Sequence, residues 1–512
     1  MNQSAPNTES RQGYGLPLRV AGWLFVCLTC IYALSSSGRI RTPDEYMSFF
    51  QAQSLVERGS TAIPQAVQFR DFYGAFDRHG QPRAPYPAGQ AWLSAPLLIL
   101  GKFVLAHLPG VPQTQEAIFY IQVFGAVLTS ALAAAAAMAF FFLTLSRLGV
   151  SLSNALIATL CVGFGTLIFP YSGYFFSEPF TALIMMAAVY VVACTGSPTS
   201  GKNAIVIGLL LALAVWIRPT MVFATSVFVL GILLREGMAG LRRAAIVFAI
   251  PAISGLLYLL SNKILFGRAF NFGYPDTEDL LGKHLNSFHT PFHVGLTGFL
   301  FSPGKSIFVF MPVLLLAIFG MQRLWGRDRA VGAVSGGLPL IYLLFYMRYT
   351  QWEGGVCPGP RYLFPFLILT CLAAGTLLET GQSRVRRWLL VLTVAGFAVQ
   401  VITYSTSFLE DQAIGRGTYY DSQLNYRMSY NPLVSQTERL VEYINGKPAP
   451  IGLGFDRWFV FLRKMGVAVY TELLIAAVPM FLLFWSVRSL KQLLRQEQQG
   501  WLESRASVAV PM

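Results

Sequence analysis

Charge is scarce in this chain. Only 12% of its 512 residues are Asp, Glu, Lys or Arg, and just 24 are acidic. A soluble protein of this length needs far more charge to cover its surface, so a soluble globular fold is excluded. Cysteine is sparse as well. Cys27, Cys30, Cys161, Cys194 and Cys371 fall inside apolar runs, where thiols behave as small hydrophobes, and only Cys357 lies in a polar stretch. No structural disulfide and no zinc cluster is expected. Phosphate-cradling glycine loops and the HExxH pattern are missing, which leaves nucleotide donors and zinc chemistry without support. The polar amino terminus lacks a small-residue cleavage signal, so the first apolar run is expected to stay as an anchor.

What the chain has instead is apolar length. Hydrophobic residues make up 54% of it, and phenylalanine alone occurs 40 times. A bilayer core about 30 Å thick takes about 20 mostly apolar residues per helix, and backbone satisfaction in lipid requires helices rather than open sheet. The pattern predicts an all-α polytopic membrane protein of about twelve spans. They fall at 16–36, 117–145, 153–170, 179–195, 203–217, 219–235, 243–262, 306–321, 331–347, 362–379, 387–405 and 466–487. The run from Trp92 to Leu108 is shorter and interrupted by Pro96 and Gly101, and reads as an interfacial helix.

The net charge of +14 comes from basic residues scattered over short connections, which is the signature of membrane orientation rather than of nucleic-acid binding. With residues 1–15 as a cytoplasmic tail, SRLG, SPTSGKN, LLREGMAGLRR, QRLWGRDR and SRVRR all fall inside. The long segments 37–116, 263–305 and 406–465 then lie outside, and 466–512 holds the last span and a basic tail. No ionisable residue sits in the middle of a span, which argues against a transporter with a midplane site. Chemistry is expected on the outer face.

Several residues there could carry it. Asp44, just past the first span, reads either as a general base at the lip of a cavity or as a helix-start acid, since TPDEY is a good amino-terminal signal. Glu45 reads as a first-turn acid favoured by the helix dipole, or as a sugar or acceptor contact. In RHGQPRAPYPAGQ, His79, Arg83 and Tyr86 form either a cationic aromatic wall for a phosphate and sugar or an ordinary proline-stiffened loop. Glu178, before Pro179, is either a second carboxylate facing the first loop or a helix-start residue. Arg218 in WIRPT suits a hairpin at the interface. Lys305 in FSPGKS opens a helix, where an anion would be favoured. In QWEGGVCPGPRY, Trp352 and Glu353 could hold a sugar and Arg361 a phosphate, although interfacial tryptophans are also common anchors.

In these segments the chain resembles the GT-C glycosyltransferases, the polytopic enzymes that use polyprenyl-phosphate-linked sugars. Within them it is similar to the protein O-mannosyltransferases and lipid A aminoarabinose transferases. The carriers are PDEY, PYSGYFFSEP, IRPT, FGRAFNFGY, GFLFSPGKSIFVFMP, and WEGG with GPRYLFP, in that order from about residue 40 to 365. The resemblance implies a catalytic module over 16–405, with interfacial helices of the first outer loop packed over a lipid-accessible cavity. It further implies Asp44 as catalytic base and Glu178 in the place of a second acid. The relatives often carry Asp there, and the segment from Ser405 to Lys464 has no matching motif. No DxD signature is present, so neither a metal nor any other cofactor is expected.

The function expected is therefore an inverting glycosyltransferase of the inner membrane. It would move a monosaccharide from a polyprenyl phosphate to a hydroxyl of an envelope glycan, lipid or protein. Arg83, Lys305, Arg361 and Arg218 are the candidates for the leaving phosphate. A polymerase or ligase of lipid-linked glycans is the alternative, and a glycolipid transporter a more distant one.

Overall fold

The computed structural model describes residues 9–68, 72, 74–105, 107, 109–195, 198–273, 288–409, 425–427, 431–447 and 457–508. The last residue of FGRAFNFGY, 274–287 of the segment 263–305, and 410–424, 428–430 and 448–456 of the segment 406–465 lie outside them. All twelve predicted spans are helical. They are α1 (Glu9–Ser35), α4 (Gln115–Arg147), α5 (Leu152–Gly165) with the short α6 (Ile168–Tyr171), α7 (Glu178–Cys194), α8 (Gly201–Ile217), α9 (Val222–Glu236) and α10 (Leu241–Phe266) in the first half. In the second half α11 (Phe292–Phe301) lies in the expected outer segment 263–305, and the spans are α12 (Ile307–Phe310), α13 (Val313–Arg327), α14 (Arg329–Tyr346), α15 (Phe364–Thr370), α16 (Leu372–Leu378) and α17 (Ser383–Ser405). After α18 (Pro432–Ile444) and α19 (Trp458–Lys464), α20 (Val469–Val508) closes the chain. Among the described residues, six helical stretches are long and apolar enough to cross a membrane: Gly15–Ser35, Gln115–Arg147, Pro219–Phe266, Arg329–Tyr346, Ser383–Ser405 and Val469–Gln499. The protein is an all-α integral membrane protein.

The centre of the bundle is α4. Its alanine-rich stretch Ala131–Ala137 lets α1 and α7 approach closely, while α20 packs on the far side of α1. The pairs α8–α10 and α9–α14 form the second half of the bundle. Cys27 and Cys30 share a C-x-x-C spacing, but both are free, buried thiols within α1.

Between α1 and α4 run two further helices and a small hairpin. Helix α2 (Pro43–Arg58) starts at Thr42, whose Oγ1 accepts from the Glu45 N–H at 3.3 Å, while the Glu45 carboxylate accepts from the Thr42 N–H at 3.1 Å. This reciprocal cap satisfies two otherwise orphaned donors. Gly59, with φ +63°, ends the helix. Strands β1 (Ala75–Phe76) and β2 (Pro82–Arg83) make the hairpin. Helix α3 (Gly89–Leu105) is the one expected at the interface. It packs on α2, α4 and α8 and leaves Ile99, Leu100 and Phe103 exposed.

Connections assigned to one face meet one another. Arg327 donates to the Leu148 carbonyl at 2.6 Å, and Ser151 and Asn154 donate to Glu379. Arg235 pairs with Asp328 at 3.2 Å, and Glu236 accepts from the Thr199 N–H at 2.9 Å. At the opposite end, Trp458 of α19 donates to the carbonyls of Leu34 and Ser36 at 3.1 Å each. The candidate residues gather at that second end.

Candidate active site

Asp44 occupies the second position of α2, and Thr42 and Glu45 perform the capping. The Asp44 side chain is thereby free to face the other segments. Its Oδ1 accepts from the Tyr86 hydroxyl at 2.7 Å, and its Oδ2 from Arg361 Nη2 at 2.8 Å. The carboxylate keeps 31% of its surface open, whereas the Arg361 side chain keeps 11%. A part-open anion thus rests on a buried cation.

Arg361 lies between aromatic faces, with Phe176 5.1 Å and Tyr362 5.0 Å from its guanidinium carbon. Such faces attract a desolvated cation. Its Nη1 donates to Cys357 Sγ at 3.3 Å. Burial disfavours the charge, but the neighbouring acids and the thiol outweigh it and hold Arg361 firmly protonated. Burial also pushes the Cys357 thiol up to about 11. Gly354 is left-handed at φ +72°, and a Cβ there would stand 2.8 Å from Arg361 Cγ. Glycine is the residue that allows this backbone to lie against the arginine stem.

Glu178 stands at the first turn of α7, only 1% exposed. Ser177 before it makes no side-chain cap. Glu178 Oε1 accepts from Arg218 Nη2 at 3.0 Å and lies 3.9 Å from Arg361 Nε. Arg218 ends α8 in extended conformation and leans over the Tyr362 ring at 5.4 Å. Tyr86, Asp44, Arg361, Glu178 and Arg218 therefore form one continuous chain of alternating charge with a phenol at its open end.

Other candidates do not join it. Arg83 donates to Asp77 at 2.9 Å and to Thr61 Oγ1 at 2.9 Å, so its guanidinium braces the hairpin instead of facing a phosphate. Burial opposes the Asp77 charge, but the Gln81 and His79 N–H groups and Arg83 hold its carboxyl below the usual range. His79 sits exposed at the hairpin turn. Glu45 is fully buried, and its oxygens are taken by the N–H groups of Arg41, Thr42 and Phe175 at 2.9–3.1 Å. It joins the first loop to the 172–177 connection and has no oxygen left for a sugar.

Trp352 is completely buried, its ring edge-on to Phe299 and seated against Gly298, where a Cβ would come within 2.1 Å. Both ring faces are enclosed by protein, so it cannot stack on a sugar here. Glu353 is buried beside it, and burial raises its carboxyl above the usual range. Lys305 donates to the carbonyls of Gly355 and Cys357 at 2.6 Å each, and burial lowers its ammonium to about 8. Two of its three N–H donors thus staple the turn that presents Arg361 rather than an anion.

The sequence reading missed Phe176 and Tyr362 as walls for the guanidinium. The signal was present, because Phe176 lies two residues before Glu178 in FFSEP and Tyr362 adjoins Arg361 in GPRY. It also passed over the Asp77–Arg83 pairing, although the two flank a short turn-rich stretch.

The structure is similar to that of ArnT from Cupriavidus metallidurans bound to undecaprenyl phosphate, with a TM-score of 0.49 and 14% identity over 95% of this chain and 80% of that one. It is similar also to the archaeal oligosaccharyltransferase AglB from Archaeoglobus fulgidus in complex with an inhibitory peptide and a dolichol-phosphate. There the TM-score is 0.43 and the identity 9%, over 77% of this chain and 56% of that one. No family model matches the chain, and no curated protein sequence does. Likeness at this level transfers no residue role, and the roles considered below rest on this chain's own side chains.

Proposed function

We propose that the protein is an integral membrane glycosyltransferase that moves a monosaccharide from a polyprenyl phosphate to an acceptor hydroxyl. The site lies on the outer face of the inner membrane, in a bundle that crosses it about twelve times. One observation carries this reading: a part-open carboxylate, Asp44, held at 2.8 Å by a buried arginine that has a second arginine close behind it. A base and two anion-stabilising cations are what inverting displacement of a phosphate requires. The motif resemblance supports the same reading independently.

In this mechanism Asp44 takes the acceptor hydroxyl proton while that oxygen attacks the anomeric carbon from the face opposite the phosphate. Tyr86 fixes the direction of the carboxylate. Arg361 and Arg218 stabilise charge on the departing phosphate oxygen. A lipid phosphate leaves readily, so no strong general acid is invoked. Nor is a metal or other cofactor: Arg361 bridges the two acids, touching Asp44 at 2.8 Å and reaching to 3.9 Å from Glu178. The placement of the acid in the first loop favours transfer of single sugars over that of whole glycans.

The test is incubation of purified protein, in chelator-treated buffer, with a panel of radiolabelled polyprenyl-phosphate monosaccharides and envelope acceptors. Mass spectrometry of lipid-linked sugars from cells lacking the protein supplies the panel. Release of lipid phosphate with one sugar configuration inverted is expected. Failure to consume any lipid-linked sugar that accumulates in those cells would overturn the reading.

A further inference from the structure

The chain of alternating charge holds two carboxylates, Asp44 and Glu178, and two guanidinium groups, Arg361 and Arg218, so its formal charge is zero. Three buried atoms on it, Glu178 Oε2, Arg218 Nη1 and Arg361 Nε, have no hydrogen-bond partner among the described residues. Buried polar groups are ordinarily paired, so unpaired ones in a cluster leave capacity for water or a ligand atom. A guanidinium offers five N–H donors, and Arg361 directs one to Asp44, one to a weak sulfur acceptor and one toward the Tyr362 hydroxyl. It has donors to spare for an anion while still holding Asp44.

We propose that Arg361 is handed from Asp44 to the lipid phosphate during transfer, so that the lipid-phosphate product is held together with a proton on Asp44. This rests on the glycosyl-transfer reading above. The atoms and charges balance. The acceptor proton passes to Asp44, the acceptor oxygen bonds to the anomeric carbon, and the bond from that carbon to the phosphate oxygen breaks. Its electron pair stays on the phosphate. The phosphate therefore gains one negative charge as Asp44 loses one, and the total in the pocket is unchanged. Only the location of the charge moves. Charge-assisted hydrogen bonds are roughly twice as strong as neutral ones, so the guanidinium follows the charge.

The ionisable groups that face Asp44 are Tyr86 from the first loop, and Cys357, Arg361 and Tyr362 from the connection after α14. Behind Arg361 stand Glu178 and Arg218, bound to each other at 3.0 Å. Lys305 and Glu45 face away, onto backbone carbonyls and N–H groups respectively. Burial holds the Tyr362 phenol and the Cys357 thiol above their usual ranges, so both keep their protons near neutrality, and the arginines keep their charge. Among the protein's own groups facing the site, Asp44 is the one left to take up the proton.

The experiment is calorimetric titration of the full-length protein in detergent with polyprenyl phosphate at pH 7, in two buffers of different ionisation heat. Wild type is expected to take up roughly one proton more per bound lipid than Asp44→Asn does. The difference counts the proton held between Asp44 and the phosphate, and a protonated-carboxyl C=O stretch in the infrared, absent from Asp44→Asn, places it on Asp44. Arg361→Lys, which keeps a charge but loses the planar fork, is expected to bind with the lower uptake and serves as the control should Asp44→Asn not fold. Equal uptake in wild type and variants would overturn the hand-over. Absence of binding by every form would overturn the functional reading instead.

Discussion

Asp44 and Arg361 lie 317 residues apart in the chain and 2.8 Å apart in the structure. Their contact joins the start of α2 to the connection after α14 and sets the geometry of the site. Tyr86 completes it from a third segment, and Glu178 and Arg218 extend it from α7 and α8. Each partner has a distinct and measurable consequence.

Tyr86 supplies one of the two hydrogen bonds that Asp44 receives among the described residues. Tyr86→Phe removes that bond and keeps the ring. A hydrogen bond to a charged group contributes about 1.5–3 kcal/mol, so turnover should fall by roughly ten-fold to a hundred-fold, with KM for the lipid donor little changed. Steady-state kinetics over a range of donor concentration separate the two parameters.

Glu178 and Arg218 form a pair in which the acid is 1% and the base 16% exposed. Removing Glu178 takes away the acid bound to Arg218, and removing Arg218 leaves Glu178 only the more distant Arg361 at 3.9 Å; breaking a buried pair costs up to about 3–5 kcal/mol. Glu178→Gln and Arg218→Gln should each lower thermal stability in detergent. The double variant should lose clearly less than the sum, and strict additivity would show that the pair is not coupled.

Much of this architecture is legible in the sequence because it follows from run length and the placement of charge. An apolar stretch in lipid has few alternatives to a helix, and every predicted span is helical. Breaks inside spans were less legible. The span at 306–321 divides into α12 and α13 at Met311 and Pro312, where proline restricts the preceding residue. The site was legible only in parts. Asp44, Glu178, Arg218 and Arg361 could each be singled out, since charge beside a span needs a reason. Their pairing could not, because it depends on how distant helices pack. Tyr86 read as a sugar contact and lies on Asp44. Trp352 looked like a stacking platform because local sequence does not reveal that Gly298 leaves room for its ring in the core.

Lys305 connects the site to pH. Burial lowers its ammonium from the usual 10.5 to about 8 in the folded protein. Below pH 8 the lysine is charged in both states, and the folded state bears the full cost of a buried charge. Between about 8 and 10.5 the unfolded chain holds the proton that the folded one has released, so stability rises with pH. Over that window wild type should gain on Lys305→Met by about 3 kcal/mol, from a shift of roughly two to three pH units. Unfolding midpoints of both proteins measured across the window check this, and parallel curves would contradict it.

The central claim concerns Asp44 as the base, and the direct measurement is turnover of Asp44→Asn alongside its affinity for the donor. With purified protein and a defined polyprenyl-phosphate sugar, turnover should fall by roughly 10²–10⁴-fold. Donor affinity should be kept or increased, because the variant frees Arg361 for the phosphate. Turnover within a few-fold of wild type, at unchanged donor affinity, would contradict the account.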